Sequence, residues 1–247
     1  MHRRPPGAYY TFGPGPLSSA IKILIWANVG AFVLTSVAPS LTIYFGLSPV
    51  AVYQQLWIWQ PVTYMFLHGG LFHILFNMLA LWMFGTELER LWGTTFFVRY
   101  YFVTGLGAAA TTLLGSLLPF GFANQMYYSI TIGASGAIYG LLLAYALYYP
   151  NRPIYMYLLF PIPAKYFVMI IGAIAFLSSV SDTGGGVAHV AHLGGLVCGY
   201  LYLTSGRGGG LSSELKYRYL KWKMDRLRRK FDVYSGGRHS DRDRRVH

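Results

Sequence analysis

Apolar residues crowd into six stretches of this 247-residue chain: Ala20–Val37, Leu71–Leu88, Phe96–Leu118, Ser135–Tyr149, Tyr166–Val180 and Val187–Leu203. A helix that crosses a bilayer needs about 17 to 25 predominantly apolar residues. The third stretch is ample by that measure, while the fourth and fifth are short. The pattern predicts an all-α membrane protein built as one six-transmembrane-helix bundle over residues 20–204. A disordered leader over residues 1–19 precedes it, and a tail over residues 205–247 follows. No internal repeat is evident, which counts against a transporter assembled from inverted halves.

Composition supports the same class. With 54% hydrophobic and 11% charged residues, the chain is too apolar for an ordinary soluble domain. Charge placement then sets the orientation. If six helices are threaded with the N-terminus inside, the outer connections become Ala38–Gly70, Pro119–Ala134 and Ser181–Gly186, which hold no Lys or Arg. All 20 basic residues fall on the other side, which puts both the N- and C-termini in the cytoplasm. The leader runs from Pro5 to Pro16 through Pro and Gly, and no Ala-x-Ala cleavage site follows the first stretch, so that stretch reads as an uncleaved anchor. The chain is thus expected to be a multi-pass integral protein, placed here in the plasma membrane.

Two further features refine the picture. The lone cysteine, Cys198, excludes an intramolecular disulfide and a thiol-ligand metal site, and reads as a packing residue. From Arg207 onward the tail has 13 basic and 5 acidic residues, with Tyr217, Leu220, Met224, Leu227 and Phe231 at helical spacing. That is the pattern of an amphipathic helix resting its basic face on anionic lipid headgroups. Nucleic-acid binding is set aside for an integral membrane protein.

Polar residues inside membrane-sized apolar segments are costly and therefore functional candidates. Ser135 sits in a frame of small residues, Gly133, Ala134 and Gly136, at the outer end of the fourth stretch. That stretch covers only about 22 Å at 1.5 Å per residue, against a core of about 30 Å. Pinned on the inner side by Pro150, Asn151 and Arg152, it would start below the outer surface, where backbone must line a protein-walled or watery cavity. His192 opens the sixth stretch from the same side. Gly195 and Gly199 follow on its face, and Gly136 and Gly140 offer a matching groove on the fourth helix. Close approach there would let serine and histidine act as nucleophile and base. Tyr139, one turn below Ser135, is placed to stack on the imidazole. Asp182, the sole outer acid, reads as part of a turn too far away, so the pair is a dyad.

Oxyanion donors are the third requirement. His68, His73 and Asn77 head the second stretch, and His73 and Asn77 share a face at i, i+4. With the Ser135 backbone N–H they form a candidate set. His189 lacks the glycine face and reads as a supporting or solvent-facing residue. Other readings compete at each position: glycine packing with an incidental histidine, polar groups that merely satisfy loop carbonyls, or a metal site. No His-Glu-x-x-His motif occurs, which makes metal catalysis a poor fit. A channel would call for acids at mid-membrane; instead Glu87 and Glu89 lie at the inner end, where Glu89 is expected to cap a turn or pair with Arg90 or Arg99.

Taken together these residues resemble the rhomboid family of intramembrane serine proteases over roughly residues 21–203. The resemblance rests on His68-x4-His73-x3-Asn77, Gly133-Ala134-Ser135-Gly136 with Tyr139, Ala191-His192-x-x-Gly195-x-x-x-Gly199, and Gly85-x-x-x-Glu89-x-x-x-Gly93, in order along the chain. The family's outer-loop Trp-Arg is replaced here by Trp59-Gln60. The resemblance implies a serine endopeptidase that needs no cofactor and no metal. Ser135 would attack, His192 would shuttle the proton, and His73, Asn77 and the Ser135 amide would hold the oxyanion. Transmembrane segments of other membrane proteins would be the substrates, entering past the fifth helix or the cap loop around residues 127–132. The alternative within the same fold is a non-proteolytic protein that binds membrane helices.

Overall fold

A computed structural model describes residues 14–119, 121–156, 160–180 and 186–205, together with Lys221 and Met224. Six helices dominate it: α1 (Ser19–Val37), α2 (Leu71–Trp92), α3 (Thr94–Gly115), α4 (Ser135–Tyr148), α5 (Ala164–Val180) and α6 (Gly186–Thr204). Each coincides with one of the six apolar stretches to within a few residues. α2 runs continuously but carries a π-helical turn over Leu81–Gly85. Lys221 and Met224, two residues of the tail helix expected from the sequence, are helical and exposed; the rest of that helix and the Asp182 turn lie outside the described residues.

By length and composition, α1, α2 and Val187–Thr204 are long and apolar enough to cross a membrane; α4 and α5 are apolar but shorter. α3 has 22 residues yet a more polar make-up, and its packing explains why. It lies against both α4 and α6 and buries Phe97, Tyr100, Tyr101, Thr104, Ala108 and Thr112. One side of α3 stays exposed at Leu106 and Leu114, while on its buried side polar groups find partners within the protein. Thr104 and Thr112 donate to carbonyls one turn back, and Tyr100 Oη donates to the Gly140 carbonyl at 2.8 Å.

Three details depart from the sequence reading. Glu89 is buried but pairs with neither Arg90 nor Arg99; its carboxylate accepts from Ser18 Oγ and, at 2.7 Å, from Thr94 Oγ1. One carboxylate thereby ties the start of α1 to the α2–α3 junction. The leader is docked where it is described: the Pro14 and Pro16 carbonyls accept from Arg90, and the Gly15 carbonyl accepts from Trp82 Nε1. Between α4 and α5, a connection to which the sequence reading assigned no element contains a two-stranded antiparallel hairpin, β1 (Pro153–Met156) and β2 (Phe160–Pro163), with Ile154 opposite Ile162. Three prolines among its eight residues hid it, since proline usually marks non-strand.

Short helices at residues 41–45, 49–55 and 60–63 fill the connection between α1 and α2. Gln60, which stands where the resemblance led one to expect arginine, is fully buried at their centre. Its Oε1 accepts from the Ser48 backbone N–H at 2.9 Å, and Nε2 donates to the Ile43 and Tyr44 carbonyls at 3.2 and 3.3 Å. A neutral amide suits this dry place better than a guanidinium, because it both donates and accepts. Trp59 covers it, stacked on Trp57, with its ring N–H bonded to the Tyr44 carbonyl. Gln60→Ala should strand the Ser48 amide and cost about 2–4 kcal/mol. A thermal-unfolding midpoint in detergent equal to wild type would refute that role.

Candidate functional site

Ser135 is the first residue of α4, and the chain reaches it through Gly133, whose φ is +127°. A side chain is strained in that conformation. It would also be blocked, since a Cβ on Gly133 would lie 2.9 Å from His73 Nε2 and 3.5 Å from Ser135 Oγ. The turn therefore passes between the histidine and the serine with no room for an extra carbon. It is held from behind by Tyr64, whose carbonyl accepts the Gly133 N–H at 2.9 Å and whose hydroxyl donates to the Gly105 carbonyl at 2.7 Å. Thr131 and Leu47 exchange a pair of backbone hydrogen bonds at 2.8 and 2.9 Å just upstream. Tyr64 and Leu47 were not singled out from the sequence, because neither carries a motif and both act through long-range backbone contacts.

α6 brings His192 to the same place. Its Nε2 lies 2.7 Å from Ser135 Oγ, the distance of a hydrogen bond between hydroxyl and imidazole. Tyr139 stacks on the opposite side, ring centroids 4.2 Å apart and planes 4° from parallel. The other ring nitrogen, Nδ1, is buried without a partner among the described residues. Among the described residues, the imidazole is oriented by stacking and by helix placement.

Glycines permit this approach. A Cβ on Gly195 would run into the Gly136 carbonyl oxygen and lie 3.3 Å from the Gly136 Cα. One on Gly199 would lie 3.3 Å from the Gly140 Cα and 2.5 Å from Tyr100 Oη. Gly136 itself faces Ala108 of α3, leaving a Cβ only 2.5 Å from the alanine methyl. Backbone meets backbone where α4 and α6 cross, and the two reactive side chains sit just above that crossing.

His73 supplies the nearest donor. Its Nδ1 accepts the Gly69 backbone N–H at 3.3 Å, so a neutral ring carries its proton on Nε2. That nitrogen is the one facing the Gly133 turn. Asn77 is buried one turn further along α2 and donates from Nδ2 to the His73 carbonyl at 2.7 Å, leaving a second amide hydrogen. His68 packs edge-on against His73, centroids 4.9 Å apart. Burial first, and His73 beside it second, push its pKa down to about 4, so it is neutral at ordinary pH and touches His73 rather than Ser135. His189 meets His192 edge-on at 5.7 Å. Among the described residues, no group of three or more His, Cys, Asp or Glu is arranged to hold a metal ion.

The arrangement joins a hydroxyl on α4, an imidazole on α6 in hydrogen-bond contact with it and N–H donors from a third helix, α2. Such a set can transfer an acyl group. Comparison with known proteins agrees in kind. Residues 55–207 match the family described as "Rhomboid domain". "Rhomboid protein 1, mitochondrial" of Saccharomyces cerevisiae is 34% identical over 144 residues, 56% of this chain and 38% of that protein. "Rhomboid protease GluP" of Bacillus subtilis is 33% identical over 144 residues, covering 58% and 25% respectively. "Rhomboid protease AarA" of Providencia stuartii is 29% identical over 157 residues, covering 58% and 54%. The match thus spans between a quarter and about half of these relatives' own lengths.

Proposed function

The chain belongs to the rhomboid family, and from that premise we propose that it is an intramembrane serine endopeptidase cleaving transmembrane segments of other membrane proteins. The observation that carries this reading is the 2.7 Å contact between Ser135 Oγ and His192 Nε2. In the resting pair the hydroxyl donates to Nε2, so Nδ1 bears the ring proton.

On attack, Ser135 Oγ bonds to the scissile carbonyl carbon as its proton passes to His192 Nε2. The oxyanion takes hydrogen bonds from the Ser135 N–H, His73 Nε2–H and Asn77 Nδ2–H. His192 then gives its proton to the departing amine as the C–N bond breaks. Water enters and hydrolyses the acyl-enzyme by the same route, with His192 again as base. Nδ1 has no acid partner among the described residues, and the transient imidazolium is supported by the face of Tyr139, a cation–π contact. A partnered serine and histidine favour this over a non-proteolytic helix-binding role, which needs neither.

The proposal includes six membrane crossings with both termini in the cytoplasm, a basic tail on anionic headgroups and residence in the plasma membrane. Its support is the absence of Lys and Arg from the three outer connections. No cofactor is required by any step. A fluorophosphonate probe tests the chemistry directly: wild type should be labelled, whereas Ser135→Ala and His192→Ala should not. Equal labelling of all three would remove this pair from the reaction.

A further inference from the structure

At the end of the bundle opposite Ser135, a cavity of about 560 Å³ opens between the last turns of α2 and the residues that follow α4. Its walls include Gly15, Glu87, Arg90, Leu91, Tyr149 and Arg152. Glu87 is paired with Arg152, whose guanidinium also lies 5.2 Å over the Tyr149 ring. Arg90 is different. Its hydrogen bonds run to the neutral carbonyls of Pro14 and Pro16, and it has no carboxylate partner among the described residues. Among the described residues the cavity therefore carries one uncompensated positive charge, and a guanidinium has five N–H donors to offer.

Gly15 also lines a second hollow of about 550 Å³, which runs along the outside of α1 and α2. That hollow is apolar, with Leu17, Ile25, Leu75 and Leu79 in its walls. Leu75 and Leu79 are exposed. The cationic chamber and the greasy groove thus adjoin at Gly15, which lines both. The two parts want different chemistry in one molecule: an anion at one end and a hydrocarbon chain at the other.

We propose that the chamber and the groove together bind one anionic glycerophospholipid, with its phosphate at Arg90 and Arg152 and an acyl chain along the α1–α2 face. A lone phosphate would satisfy the chamber but leave the groove empty, and a neutral chain would do the reverse. The docked leader forms part of the wall, so the lipid would also hold residues 14–17 against α2.

Native mass spectrometry of the full chain, purified with equal phosphatidylglycerol and phosphatidylcholine, tests this. Wild type should retain one phosphatidylglycerol in preference to phosphatidylcholine. Arg90→Gln and Arg152→Gln should each lower that retention about three- to fivefold, the weight of one partly exposed charge. Glu87→Gln removes the one acid among the described residues of the chamber and should raise retention by a similar factor, an outcome that general damage to the fold would not produce. Millimolar glycerol-1-phosphate should fail to displace the lipid, because it lacks the chain. The proposal is overturned if phosphatidylcholine is held equally well, if Glu87→Gln and Arg90→Gln shift retention the same way, or if glycerol-1-phosphate competes as strongly as phosphatidylglycerol.

Discussion

Proteoliposomes carrying Ser135→Ala are expected to leave a labelled single-span substrate intact under conditions where wild type cleaves it, a loss of about 10⁴-fold or more. The size follows from what the substitution removes. Without Oγ there is no covalent intermediate, and His192 has no proton to accept. The donors on α2 remain and could at best stabilise attack by water. His192→Ala should fall by a similar factor, and the double variant by little more, because nucleophile and base act as one unit. Ser135→Ala should unfold like wild type, since it deletes one oxygen at a helix terminus. Comparable cleavage by the variant and wild type would end the proposed mechanism.

Gly195→Ala should be nearly as instructive, although it adds a single methyl and alters neither reacting side chain. That methyl meets the Gly136 carbonyl oxygen, and backbone cannot rotate aside as a side chain would. α6 must shift or tilt away from α4. Displacing His192 by about 1 Å relative to Ser135 is worth roughly 100-fold in rate, and the forced repacking about 1–3 kcal/mol in stability. We expect cleavage to drop by that factor while fluorophosphonate labelling slows in parallel. Activity equal to wild type in Gly195→Ala would mean that the glycine crossing does not set the reactive distance.

The helices were legible because lipid imposes a simple demand, long apolar runs, and each run became a helix within a few residues of its expected bounds. The pairing of Ser135 with His192 was legible for a different reason. Glycines at 136, 140, 195 and 199 mark where two helices touch, so small residues and reactive residues pointed to the same crossing. What stayed hidden depended on partners distant in sequence. Nothing in the residues around Glu89 announces Ser18, and the nearby arginines made a plausible but mistaken pairing. Tyr64 holds the Gly133 turn through its backbone carbonyl, a group every residue possesses. The role of Gln60 was obscured by the family's preference for arginine, and only its three backbone bonds explain an amide there.

The packing of α3 against α4 and α6 has a consequence for biogenesis. Under the proposed six-crossing topology, a segment rich in threonine, glycine and tyrosine would partition weakly into lipid by itself and would rely on later parts of the chain to stay there. As α4 and then α6 emerge from the ribosome, they would close around it and replace the aqueous lining of the insertion channel. In that topology α3 would gain its full packing only late, from the same two neighbours that meet at Ser135 and His192. Assembly of the reactive pair and retention of the central helix become one event.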